Sequence, residues 1–184
     1  MSEYRWVIAH FSPTGTTRKV ARAIAGGSGC PAREVDLSAP VEPQSLGENE
    51  ILLVAAPVFG GRIPAIALER LKHLNGCGRN AVAAAVYGNR AFDNALLELK
   101  DVLEELGFTL IAAGAFIAEH SIIRSIAAGR PDARDLETAA GFGRAVTEKL
   151  AQANPTSVEV PGDPGYRKTV PGVSPTIPAP TGSA

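Results

Sequence analysis

Residues 5–24 read Arg-Trp-Val-Ile-Ala-His-Phe-Ser-Pro-Thr-Gly-Thr-Thr-Arg-Lys-Val-Ala-Arg-Ala-Ile, and this stretch decides the fold. Arg5 to Phe11 form a short, mostly apolar run stopped by Ser12-Pro13, the pattern of a strand buried on both faces. From Thr16 the period becomes helical, with Thr17, Val20, Ala21 and Ile24 on one face and Arg18, Lys19 and Arg22 on the other, closing at Gly26-Gly27. A doubly buried strand followed at once by an amphipathic helix opens a βαβ unit.

The alternation recurs downstream. Arg33 to Leu37 is a weaker strand, and residues 38–50 are a polar connection with Pro40 and Pro43. Ile51 to Ala56 is the clearest strand, ended by Pro57, and a helix follows Pro64 with Ile66, Ala67, Leu71 and Leu74 at helical spacing. Ala81 to Tyr87 makes a fourth strand. Phe92 to Leu106 is an amphipathic helix whose Leu96, Leu99, Val102, Leu103 and Leu106 face inward while Glu98, Lys100, Asp101, Glu104 and Glu105 face water. Phe108 to Ala118 supplies a fifth strand, and Leu136, Ala139, Ala140, Gly143, Val146 and Leu150 line a final helix. Five strands alternating with helices predict an α/β fold, a doubly wound parallel sheet with helices on both faces.

The last 30 residues hold seven of the 14 prolines and four glycines with no apolar period, so residues 1–154 are expected to form the domain and 155–184 a Pro/Gly-rich tail. The tail is either disordered or extended along the surface, with Val158, Val160, Tyr166, Val170 and Val173 available for docking. Lys plus Arg total 18 against 19 Asp plus Glu, which speaks against a dedicated nucleic-acid binder. The longest apolar stretch, Leu110 to Ala118, falls far below the roughly 20 residues of a membrane span, and no secretory pattern opens the chain, so a cytoplasmic location away from membranes is expected. Cys30 and Cys77 lack a C-x-x-C pairing and His10, His73 and His120 sit in three separate segments, leaving too few clustered ligands for a metal site. His10, on an apolar strand, reads as a hydrogen-bonded core residue.

Ligands of open parallel sheets bind beyond the carboxyl ends of the strands. The loop after the first strand offers Ser12, Thr14, Gly15, Thr16 and Thr17 at a helix N-terminus, hydroxyls and free amides suited to a phosphate dianion. Neither G-x-x-x-x-G-K-[ST] nor G-x-G-x-x-G is present, which disfavours nucleoside triphosphates and dinucleotides. The loop Pro57-Val58-Phe59-Gly60-Gly61 exposes an aromatic ring beside two bare backbones, and Tyr87-Gly88-Asn89-Arg90, with Phe92 and Asp93 beyond, makes a second aromatic-bearing loop. Phosphate at one end and a planar heterocycle between two such loops describe FMN. Residues 119–135 make a long excursion at the same end, where Glu119, His120, Ser121 and Arg124 either contact substrate or fix the loop, and no catalytic role is assigned. Asp135 caps or precedes the final helix.

At these residues the chain resembles the flavodoxin-like flavoproteins. It is more similar still to the flavodoxin domain of ferredoxin-fused flavoproteins, through Phe11 to Thr17, Pro57 to Pro64, Val86 to Arg90, Glu119-His120-Ser121-Ile122 and Gly129-Arg130-Pro131-Asp132, covering roughly residues 5–152. The resemblance implies a five-stranded sheet in the order 2-1-3-4-5, bound FMN and an electron-transfer role. In that order the cysteine-bearing loops lead into strands three positions apart, roughly 14 Å at about 4.8 Å per strand, too far for an internal disulfide. Val160 to Tyr166 looks like the family's linker, but no cysteine-rich cluster domain follows within the sequence. Electron-carrier flavodoxins are typically acidic, whereas here Arg18, Lys19, Arg62, Arg90, Arg124 and Arg130 lie in or near the ligand-side loops. That departure speaks against a general low-potential shuttle, and since any cluster must come from another protein, a redox partner protein, ferredoxin-like or a reductase, or else NAD(P)H, is expected. Two rival readings are an NAD(P)H-dependent FMN or quinone reductase-like enzyme, with Arg62, Arg90, Arg124 or Arg130 on the nicotinamide cofactor's phosphates, and a flavin-free interaction module. Dimerisation through a sheet edge or tail exchange is left open by the sequence.

Overall fold

Strand β1 (Arg5–His10) lies inside the sheet, paired in parallel with β2 (Ala32–Asp36) on one side and β3 (Glu50–Pro57) on the other. Strands β4 (Asn80–Tyr87) and β5 (Thr109–Ile117) continue it in parallel, giving the order β2-β1-β3-β4-β5. This computed structural model describes residues 4–152 and 155–168.

Successive residues of a strand point to opposite faces. Trp6, Ile8, Ile51, Leu53, Val82 and Ala84 therefore pack against helices α1 (Thr16–Ser28) and α4 (Ala133–Leu150), while Val7, Ala9, Leu52, Val54, Ala81 and Ala83 pack against α2 (Ala65–Leu71) and α3 (Ala95–Glu105). Both faces of every central strand are covered, which is why those strands read as unbroken apolar runs. His10 is buried, with Nε2 3.1 Å from Glu34 Oε2. The segment before β3 contains a two-residue strand, Gln44–Ser45, paired in parallel with Leu74–Asn75, so Leu74 belongs to this small ladder rather than to α2.

Two further expectations are corrected. Helix α1 runs through Gly26-Gly27 and closes at Gly29 instead. At Gly27 a Cβ would sit 2.0 Å from the Ala140 carbonyl oxygen, and at Gly143 one would sit 1.9 Å from the Ile24 carbonyl oxygen, so these glycines let α1 and α4 touch backbone to backbone. Two charged residues of α3 expected to face water are also buried, Glu98 at 3% and Lys100 at 8% exposure, whereas Glu104 and Glu105 are exposed as expected. Residues 155–168 cover the buried pair, crossing α3 as an extended strap that ends in the single turn Pro164–Lys168. Val158 and Val160 pack on the core beneath α3, Val158 N donates to the Leu110 carbonyl at 2.9 Å, and Tyr166 is buried. Val170 and Val173 lie outside the described residues. Cys30 is half-buried, its Sγ 3.5 Å from the Ser28 carbonyl oxygen, and Cys77 is exposed. Among the described residues no helix is long and apolar enough to cross a membrane.

Candidate functional site

The loops after β1, β3, β4 and β5 enclose a cleft of about 240 Å³ at the carboxyl ends of the strands. Pro13, Thr14, Thr16 and Thr17 form one end; Pro57 to Gly60, Val86 to Gly88 and Ala118 to Ile122 form the walls.

The first loop ends in the N-terminus of α1, where Gly15 adopts φ 85° as the capping residue and no side chain caps the helix. Its first turn carries no acidic residue. Ser12 Oγ takes the Arg18 amide of that turn, which leaves the Thr16 and Thr17 amides and the partial positive charge facing the cleft. Thr14 and Thr16 hydroxyls stand 3.3 Å apart at this end. Ser12 turns inward to brace the loop: its Oγ accepts from Arg18 N at 2.9 Å and its amide donates to Ser38 Oγ at 3.3 Å.

The second loop is a two-residue hairpin turn. Phe59 and Arg62 face each other as an antiparallel bridge, and Gly60 and Gly61 take φ 58° and 78°, the doubly left-handed backbone such a turn demands. The turn leaves Phe59 41% exposed over the cleft. Gly61 instead touches the third loop, where a Cβ would lie 2.6 Å from Asp93 Oδ2 and where Asn94 N donates to the Gly61 carbonyl at 3.1 Å.

In the third loop Tyr87 and Gly88 line the cleft. Phe92 packs edge-on against Tyr87, ring centroids 5.6 Å apart, and supports it from the core side. Asn89, at φ 60°, and Arg90, whose side chain is 82% exposed, lie outside the cleft lining. Of the residues the sequence singled out, the cleft thus gathers Thr14, Thr16, Thr17, Pro57, Val58, Phe59, Gly60, Tyr87 and Gly88. Ser12, Gly15, Gly61, Phe92 and Asp93 shape the loops behind it.

The fourth loop closes the remaining side. Glu119 N donates to the Arg130 carbonyl, His120 N to the Ile126 carbonyl, and Glu119 Oε2 accepts from Gly129 N at 3.0 Å. His120 Nδ1 accepts from the amides of Ile122 and Ile123 at 3.2 and 3.0 Å, so the neutral ring carries its proton on Nε2. The ring lies on Gly88, where a Cβ would be 2.7 Å from His120 Cδ2. Glu119 and His120 therefore fix the loop and line the cleft at once. The chain position immediately after β5 was the signal that could have placed them, with Ala118, in the site. Arg130 is held by Asp135, whose guanidinium partner and capping bonds with Asp132 keep the Asp135 carboxyl below its ordinary range.

Most of the basic groups read from the sequence sit in ion pairs, the longest being Arg90 with Asp93 and Arg124 with Glu119, each at 3.9 Å. Arg18 is paired with Glu34, Arg62 with Glu98 and Arg130 with Asp135. Lys19, Arg124 and Arg130 border a polar cavity of about 240 Å³ that shares Thr14, Thr16, Glu119, His120 and Ser121 with the cleft.

No family model and no curated protein matches the chain. Solved structures do. Flavodoxin 1 from Bacillus cereus superposes with a TM-score of 0.59 at 17% identity, covering 78% of this chain and 97% of that one. The fold is flavodoxin-like. A flavodoxin from the domain Archaea shares this flavodoxin-like fold with a TM-score of 0.55 at 17% identity, over 80% of this chain and 99% of that one. A flavodoxin, WrbA-like protein from Agrobacterium tumefaciens gives 0.54 at 18% identity, over 82% of this chain and 99% of that one. At these identities the likeness is one of fold, and the flavodoxin-like topology explains why all four loops meet at one end of the sheet.

Proposed function

We propose that the protein binds FMN in this cleft and serves as an electron-transfer flavoprotein. The observation that carries the reading is the pairing, in one cleft, of a helix N-terminus without an acidic residue, flanked by Thr14, Thr16 and Thr17, with the aromatic rings of Phe59 and Tyr87 on two separate loops. The α1 amides and threonine hydroxyls would hold the phosphate. Phe59, Tyr87 and the bare backbones of Gly60 and Gly88 would flank the flat ring, and the His120 Nε2 proton is available to a ring carbonyl. Bound FMN supplies one- and two-electron redox chemistry; the chain's part is to hold it, exclude water and decide what reaches it.

The electron donor is a redox partner protein, ferredoxin-like or a reductase. The polar cavity beside the phosphate end supports a second reading, in which Lys19 and Arg124 receive a phosphate of NAD(P)H and the protein acts as a reductase. An absorbance spectrum of the purified protein, with identification of flavin released by acid, tests the first reading. FMN in near-equal amount to protein is expected; colourless protein that does not quench added FMN overturns it. Rapid anaerobic bleaching by NADPH would select the second.

A further inference from the structure

The strap meets the polar face of α3 residue by residue. Lys100 Nζ donates to Glu159 at 2.9 Å, Ser157 Oγ to Glu104 at 2.9 Å, and Asp101 Oδ2 accepts from Tyr166 Oη at 2.5 Å and from Arg167 Nε at 3.1 Å.

From this anchorage two paths run into the cleft. Along the first, Arg62 Nη1 donates to the Tyr166 carbonyl at 3.1 Å, its guanidinium carbon lies 4.6 Å from the centroid of the Tyr166 ring, and its Nη2 donates to Glu98 Oε1 at 2.5 Å. Glu98 Oε2 accepts from Ile63 N at 2.8 Å. Arg62 is the backbone partner of Phe59 across the turn. Along the second, Asp163 N donates to Asn94 Oδ1 at 2.7 Å, and Asn94 N donates to the Gly61 carbonyl. The strap therefore grips the loop that presents Phe59 and the loop that follows Tyr87.

We propose that Ser157–Arg167 is a clamp on the cofactor cleft, in which Tyr166 and the Asp163 amide are positioning groups that hold the two ring-flanking loops at the spacing a flat ligand needs. The inference rests on the FMN reading and deepens it. A glycine-rich turn ordered in advance spares the ligand the entropy of ordering it on binding, so a clamp raises affinity without touching the ligand. No local signal announces this role: Tyr166 lies in a Pro/Gly-rich stretch, and Glu98 sits at a position that reads as solvent-facing.

The test uses the full chain with Tyr166→Ala, which removes the ring that Arg62 stacks on, and Tyr166→Phe, which keeps it. FMN affinity is measured by quenching of flavin fluorescence, and amide hydrogen exchange is followed at Phe59, Arg62, Ile63 and Asn94, with Ile8 and Leu53 as core references. Tyr166→Ala is expected to weaken FMN at least about tenfold and to speed exchange at the loop amides while Ile8 and Leu53 stay protected; Tyr166→Phe should remain within about threefold of wild type. Unchanged FMN affinity in Tyr166→Ala overturns the clamp, as does faster exchange at Ile8 and Leu53 to the same degree as in the loops. A wild-type chain that takes up no FMN overturns the flavin reading instead, and loop exchange alone then decides whether the strap holds the loops.

Discussion

Phe59 and Arg62 exchange both backbone hydrogen bonds, at 2.9 and 3.2 Å, while their side chains have different destinations, one over the cleft and the other in the ion pair with Glu98. The turn couples an exposed ring to a buried charge. Phe59→Ala removes only the exposed partner, so FMN affinity should fall at least about tenfold while the unfolding free energy stays within about 0.5 kcal/mol of wild type. Fluorescence titration and urea unfolding read the two quantities; a parallel loss of both would count against a ligand-facing role.

The two turn glycines should differ. Gly60 has φ 58° with open space where a Cβ would go, whereas Gly61 has φ 78° and meets Asp93. Gly60→Ala should cost about 1 kcal/mol, the strain of a left-handed alanine. Gly61→Ala should cost more, because Asp93 must also move. Urea melts of the two variants check the ranking.

At the N-terminus of α1, stability and binding should move in opposite directions. Thr16→Asp places a negative charge in the first turn, which favours the helix by about 0.3–1 kcal/mol. The same charge repels a phosphate at that place, so FMN uptake should be lost although the melting temperature holds or rises. Retained FMN would move the phosphate elsewhere.

Glu34 sets an acid limit. Burial alone would raise its pKa, but hydrogen bonds from Arg22, Arg18 and His10 bring it down to about 2 from an ordinary 4.5. The folded state therefore holds the carboxylate more tightly than the unfolded chain does, which stabilises the protein above about pH 4.5 and is lost as pH falls toward 2. Glu34→Gln should cost roughly 2 kcal/mol at pH 7, after allowance for screening of a partly exposed group, and close to nothing near pH 2. Urea midpoints of both proteins across that range give the comparison.

Tyr166 sets an alkaline limit with the opposite sign. Burial and its hydrogen bond to Asp101 push the phenol up to about 12 from 10.0. Its neutral form stabilises the strap fully below pH 10, and that contribution disappears as pH rises through 12. Protease nicking within 155–168 should increase across this window, and Tyr166→Phe should blunt the change.

The alternation of strands and helices was legible because a parallel strand covered on both faces has to be apolar throughout, as Ile51 to Ala56 is. Thr14, Phe59 and Tyr87 were legible for a related reason: each stands beside a glycine just past a strand end, on the side where such sheets bind ligands. Helical periodicity misplaced Glu98 and Lys100 because it knows only the helix itself, and what buries them is the strap around Glu159 and Tyr166, which has no periodicity of its own. Gly26-Gly27 read as a stop for the same reason. The approach of α4 that requires a bare backbone at Gly27 is a tertiary event with no trace in neighbouring residues.

The contact of Gly27 with Ala140 and of Gly143 with Ile24 also orders events in time. Helix α1 carries the threonine-lined end of the cleft, yet the helix that braces it is made after every strand of the sheet. A nascent chain halted before Ala133 has the loop after β1 but lacks the surface that seats α1, so that end of the cleft is finished only by α4. Completion of the cleft during synthesis then waits until α4 has emerged.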